Sequence, residues 1–201
     1  MKEFVTVGYS YNELRESAKE RVKQWYLETT DRAEQFHEDI MEYLKEQFPR
    51  SDLKVGFSFG YCQGDGLNIH GRLNMYDFLN KWNACDEVKD WMNKILDHTD
   101  HWYNFAENNR YCYSCKFIDR KYIDEDVSAT VRDLEDTDLN IADSTDLIKQ
   151  FYTDLVDYFE ELDRKFEKDG YTYLYECEED EIADYCAAND FYFTESGTFL
   201  G

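Results

Sequence analysis

Leu53-Lys54-Val55-Gly56-Phe57-Ser58-Phe59-Gly60-Tyr61 and Leu67-Asn68-Ile69-His70-Gly71-Arg72-Leu73 are two runs that alternate apolar with polar or small residues. Between them lies Cys62-Gln63-Gly64-Asp65-Gly66. Alternation with period two puts one apolar row on one face of each strand, and glycines flanking an aspartate supply the positive φ that a reversal needs. The two runs predict an antiparallel hairpin with one face buried. The rest of the chain must supply the cover for that face.

Helical spacing supplies it. Glu13 to Glu28 carries Leu14, Ala18, Val22 and Trp25 on one stripe, and Asp31 to Phe48 carries Phe36, Ile40 and Leu44. Pro49, the single proline, ends the second helix. Beyond the hairpin, Asp77 to Asp97 reads as a helix with Phe78, Trp82, Val88, Trp91 and Ile95 available for burial. His101 to Phe105 and Tyr111 to Ile118 predict a second hairpin. A long helix is expected from Ser144 or Thr145 to Lys168, its face formed by Ile148, Tyr152, Leu155, Phe159, Leu162 and Phe166. Glu178 to Ala188 reads as a final helix, with short strands at Phe4 to Tyr9 and Phe191 to Thr194. The expected architecture is α+β: residues 1–201 as a single domain, an antiparallel sheet packed against several amphipathic helices. Residues 119–143 read as an irregular acidic insertion.

Charge constrains function more than fold. The chain carries 45 Asp and Glu against 22 Lys and Arg, a formal net charge of −23. Residues 119–201 alone hold 25 acids against 7 bases. Such a field repels nucleic acid and favours basic surfaces, so direct DNA binding is not expected. No apolar run of 18 residues exists and Met1-Lys2-Glu3-Phe4 opens no signal sequence, so a cytoplasmic site with reduced cysteines and no membrane contact is expected. Cys112 and Cys115 form the sole C-x-x-C pair, but on an alternating run they face opposite ways, so no metal and no cofactor is expected.

Two sets of residues are candidates for function. Asp154, Asp157, Glu160 and Glu161 are expected on the outer side of the long helix, with Asp154, Asp157 and Glu161 as a carboxylate row spaced on the broad scale of phosphates along a strand. Glu178, Glu179 and Asp180 open the final helix, where its dipole accounts for part of the cluster. Both are candidate partner-binding surfaces. The second set is Gln63 and Asp65, with His70 on the return strand, as ligands for a substrate or metal. The competing reading makes Gln63 and Asp65 bond the tight turn itself. Arg15, Lys19 and Lys23 form the one basic ridge, but Glu16 and Glu20 flank it, which predicts a solvated mixed-charge face.

The hairpin segment also carries a resemblance. With Gln63-Gly64-Asp65-Gly66 intact and Cys62 in place of a serine, the chain resembles an uncharacterised family common in bacteriophages and prophages, built around a strand-end Ser-Gln-Gly-Asp-Gly motif. Glu13 to Glu20, Trp25-Tyr26, His101, Arg110 to Phe117, and Glu181 through Gly197 extend the likeness nearly end to end, while Lys121 to Asp143 departs from it. The resemblance implies a phage origin rather than a mechanism, and the location it implies is the host bacterial cytoplasm. Combined with the charge, it leads to the expectation of an anti-defence protein. Its most specific form is an anti-CRISPR that binds the basic channel of an RNA-guided CRISPR nuclease, or its guide-RNA complex, and inhibits it. The alternatives are a metal-dependent nuclease or nucleotide-processing enzyme acting on guide RNA through Gln63, Asp65 and His70, and an antitoxin-like regulator of a basic protein.

Overall fold

The hairpin forms as its alternation predicts. In the computed structural model, which describes residues 7–61, 64–106, 119–135, 137–139 and 144–201, β1 (Asp52–Ser58) pairs antiparallel with β2 (Gly66–Asn74). Val55 stands opposite Ile69 and Lys54 opposite His70. The other edge of β2 takes β3 (Trp102–Phe105), with Leu73 opposite Tyr103, giving the order β1-β2-β3. Gly71 cannot be replaced without cost. Its φ is +110°, and a Cβ there would lie 2.4 Å from the backbone oxygen of Asp52.

Around the sheet the helices are α1 (Glu16–Thr29), α2 (Arg32–Gln47), α3 (Met75–Leu79), α4 (Asp86–Leu96), α5 (Ile123–Leu134), α6 (Thr145–Tyr175) and α7 (Glu179–Ala188). The α+β class therefore holds. The chain divides into two compact units: Met1–Phe36 with Asp169–Gly201, and His37–Lys168. The divisions fall inside α2 and α6.

In the His37–Lys168 unit, one face of the sheet packs on α6. Phe105 meets Phe159 at 4.5 Å between ring centroids, and Tyr103 meets Tyr152 at 5.8 Å. Phe48 at the end of α2 closes on Phe159 at 5.1 Å. A polar link joins the same layers: Asp163, 7 % exposed, accepts the Ile69 N–H at 2.9 Å. The carboxylate takes a place on the β3-facing side of β2.

Three expectations change. The helix expected over Asp77 to Asp97 is two helices, α3 and α4, because Trp82 turns inward between them. Its ring packs edge-on against Phe151 at 5.0 Å, and its indole N–H reaches Asp154. Residues 119–143 are not irregular throughout: a 3-10 turn at Asp119–Tyr122 leads into α5, which buries Ile123, Val127, Thr130 and Leu134 at helical spacing. Its acids, Asp124, Glu125 and Asp126, sit in the first turn, where the helix dipole favours them. At the chain ends, the described residues form isolated bridges of Phe193 with Tyr9 and Phe199 in place of strands, and Phe4 to Thr6 lie outside the described residues. The expected strand over Tyr111 to Ile118, and the Cys112/Cys115 pair, lie outside the described residues.

In the unit of Met1–Phe36 and Asp169–Gly201, Tyr11, Ala18, Val22, Tyr26, Ile182, Cys186 and Phe193 form the core. Arg32 ties it together. At 7 % exposure its guanidinium donates to the backbone oxygen of Tyr173 at 2.8 and 2.6 Å and to that of Glu176 at 3.3 Å. It also donates to the Tyr26 hydroxyl and to the Glu181 carboxylate. These carbonyls lie at the end of α6, so the arginine acts as a cap from another helix.

The pH response follows from this packing. Burial, the largest influence, pushes the Glu181 carboxyl up, but the hydrogen bonds from Arg32 and Tyr26 outweigh it and leave it below the ordinary value. Its contribution to stability is therefore present above the usual glutamate range and lost as the pH falls through the lower folded value. Burial pushes the phenols of Tyr11 and Tyr26 up to about 12. A raised phenol stabilises fully below its unfolded value and loses that contribution as the pH rises toward about 12. Ultraviolet titration should show these tyrosines ionising only together with a loss of helical circular dichroism, after the exposed ones. Arg32→Ala should cost about 3 kcal/mol in denaturant unfolding, and Arg32→Lys should recover little, because an ammonium cannot span the same acceptors.

Candidate functional site

The carboxylates expected as an outer row on α6 are not a row. Asp154 is half-buried and accepts the Trp82 indole N–H at 2.7 Å and the Gln150 amide at 2.6 Å. Asp157 pairs with Arg120. Glu160 is buried at 5 % exposure, held by Arg120 through Nε at 2.8 Å and through a second nitrogen at 3.0 Å, and by Arg164 at 3.2 Å. Of the four, Glu161 alone is exposed. The reason lies on the helix itself. Phe151 and Val156 widen the buried arc beyond the expected stripe, and Glu160 lies four residues after Val156 on its border. A carboxylate brought to that border needs a cation, and the 3-10 turn at Asp119–Tyr122 delivers Arg120.

On α7, Glu178 is the N-cap residue, in extended conformation and without a side-chain cap bond. Glu179 meets Lys19 at 3.0 Å, and Asp180 is exposed. Arg15, of the expected basic ridge, pairs with Glu195 at 3.2 Å, and Lys19 also pairs with Glu16. That ridge is a mixed-charge surface, as its flanking acids predict.

The hairpin set does not assemble. Gln63 lies outside the described residues. Asp65 accepts the Ser58 hydroxyl at 2.7 Å, joining the two strand ends beside the turn. His70 is five residues further along an extended stretch, roughly 16 Å away at the rise of a β-strand. It is not near Asp65, contrary to the expectation that the return strand would bring it close. Its Nδ1 is buried without a hydrogen-bond partner. Among the described residues no group of three or more His, Cys, Asp or Glu is placed to hold a metal ion.

A different acidic feature emerges in the His37–Lys168 unit. An opening of about 330 Å³ is lined by Asp100, Glu125, Asp126 and Asp133, together with the rings of Trp102, Tyr103, Tyr122 and Tyr152. No Lys or Arg is among its described lining residues. Asp100 precedes β3 and accepts the Trp102 N–H at 3.1 Å. Glu125, Ala129 and Asp133 follow one another at four-residue spacing along α5, which stacks them on one face. At the floor, Tyr152 shares a hydrogen bond with Thr130 at 2.9 Å, and burial pushes its phenol up to about 12. Carboxylates beside aromatic faces suit a guanidinium or ammonium group, through charge pairing and cation–π contact. The i, i+4, i+8 spacing of Glu125, Ala129 and Asp133 was readable in the sequence. Their meeting with Asp100 and Trp102, more than 20 residues away, was not.

Arg120 separates structural from available charge, and this can be measured. Arg120→Ala should destabilise the chain by about 3 kcal/mol, since it strips the buried Glu160 of its main partner. Replacing both groups, Arg120→Leu with Glu160→Leu, should restore most of that loss in chemical denaturation.

No family model, no curated protein and no solved structure matches the chain.

Proposed function

We propose that the chain is a binding protein that engages a basic surface of a partner protein. In its most specific form it is a phage-encoded anti-CRISPR that occupies the nucleic-acid channel of an RNA-guided nuclease in the bacterial cytoplasm. The observation that carries the reading is the opening beside β3 and α5, with four carboxylates, four aromatic rings and no basic lining residue among those described. Channels that hold nucleic acid present arginines and lysines for phosphates. An acidic opening with ring faces offers the same side chains a charge partner and a stacking surface. The phage origin rests on the motif residues quoted above. That no helix among the described residues is long and apolar enough to cross a membrane is compatible with this site of action.

The metal-dependent alternative gains nothing from the geometry, because Asp65 and His70 stand apart. The antitoxin-like alternative differs only in the partner's identity.

The test mixes the full chain with a panel of RNA-guided nucleases and follows target cleavage and complex formation at low and high salt. Inhibition that weakens steeply with salt is expected. Glu125→Lys with Asp133→Lys should abolish it while leaving the circular dichroism unchanged, since both residues are exposed. Absence of binding at low salt across the panel would overturn the anti-CRISPR form. Binding that survives the double substitution would remove the opening from the reading.

A further inference from the structure

Among the described strands β1 lies at one edge of the sheet, and its residues Leu53 and Val55 turn backbone groups toward the open side. In an antiparallel ladder the N–H and C=O of one residue point the same way, and successive residues alternate. Ile69 donates to Asp163, and Met75 donates to the backbone oxygen of His101 on the β3 side. Odd-numbered residues of β2 therefore direct their backbone away from β1. Leu53 and Val55 lie opposite Gly71 and Ile69, so their own N–H and C=O groups point away from β2, out of the sheet. Among the described residues none bonds these groups. Leu53 and Val55 are each 6 % exposed, and an unpaired row of strand N–H and C=O groups is a ready template for another chain.

An open groove of about 850 Å³ begins at this end of β1, between the strand and the last turns of α2. Met41, Leu44 and Pro49 give it apolar walls. Glu42, Glu46 and Asp52 give it charge, against a single base, Lys45. We propose that β1 accepts an extended, basic segment of a partner protein as a fourth, edge-added strand. Main-chain bonds to Leu53 and Val55 would set the register, and the three acids would select lysine or arginine. A second copy of this chain is disfavoured as the occupant, because it would set its own Glu42 and Glu46 against the same acids. The surface lies at the opposite edge of the sheet from β3 and the acidic opening. It shares with the proposed function only the sign of the partner's charge.

The probe is a synthetic peptide of alternating valine or threonine with lysine, titrated into isotope-labelled full-length chain, beside a counterpart with glutamate for lysine. The lysine peptide should shift the amide resonances of Leu53 and Val55 and slow their hydrogen exchange, and the glutamate peptide should do neither. Val55→Pro removes one outward donor and no ladder bond to β2, so it should weaken the lysine peptide roughly tenfold. Glu42→Lys with Glu46→Lys changes only exposed positions of α2 and should weaken it at least as much. If Val55→Pro loses its fold by circular dichroism, the glutamate pair decides alone. Three results would overturn the proposal: no binding at millimolar peptide, shifts confined to residues outside β1, or equal binding of the glutamate peptide. None of these touches the acidic opening, whose own substitutions report on the proposed function separately.

Discussion

The His37–Lys168 unit depends on one constraint: α6 must bury a face wide enough to meet several elements at once. Phe151 faces Phe78 and Trp82, Tyr152 faces Tyr103 and Thr130, Phe159 faces Phe105 and Phe48, and Phe166 faces Tyr43. The sheet, the end of α2, the α3–α4 segment and α5 are each held against the same helix. So wide a buried arc takes in polar residues at its edge and within it, Glu160 and Asp163. Once inside, they are stable only if their hydrogen-bonding capacity is met.

Asp163 and Glu160 show the two ways this is achieved. Asp163 sits within the apolar arc and accepts a backbone N–H of β2, which ties helix to sheet where β3 has ended. Glu160 sits on the border of the arc and is held by two arginines. Arg32 does the reverse in the other unit: a buried cation satisfied by carbonyls at the end of α6, by a phenol and by a carboxylate. Part of the chain's charge is therefore structural. Several acids are tied up in such contacts, and among those left exposed are Glu125 and Asp133 on α5 and Asp180 at the start of α7.

This redistribution bears on recognition. A uniform acidic coat would attract any basic surface weakly and without orientation. Carboxylates set among rings near β3, and acids beside an unpaired strand edge at β1, would favour partners with particular shapes. The two features occupy opposite edges of one three-stranded sheet, so each can be altered without disturbing the other.

Local pattern was enough for several of the elements, though not for α5 or for the break between α3 and α4. Period-two alternation marked β1 and β2, period-3.6 stripes marked α1, α2 and α6, and Pro49 marked where α2 must stop. These depend on neighbours within a few residues, and the sequence states them directly. The net charge and its concentration after Asp119 are likewise properties of the sequence alone. What depended on residues far apart was decided by the tertiary structure. Trp82 broke an expected helix because its ring is needed against Phe151, 69 positions later. Arg120 neutralised Asp157 and Glu160 because packing brought its turn to α6. Asp65 lies just before β2 and His70 within it, and they stay apart, since an extended chain carries residues away from each other. Periodicity tells which side of an element is buried against something. Only the packed chain tells what that something is, and therefore which charges remain to act.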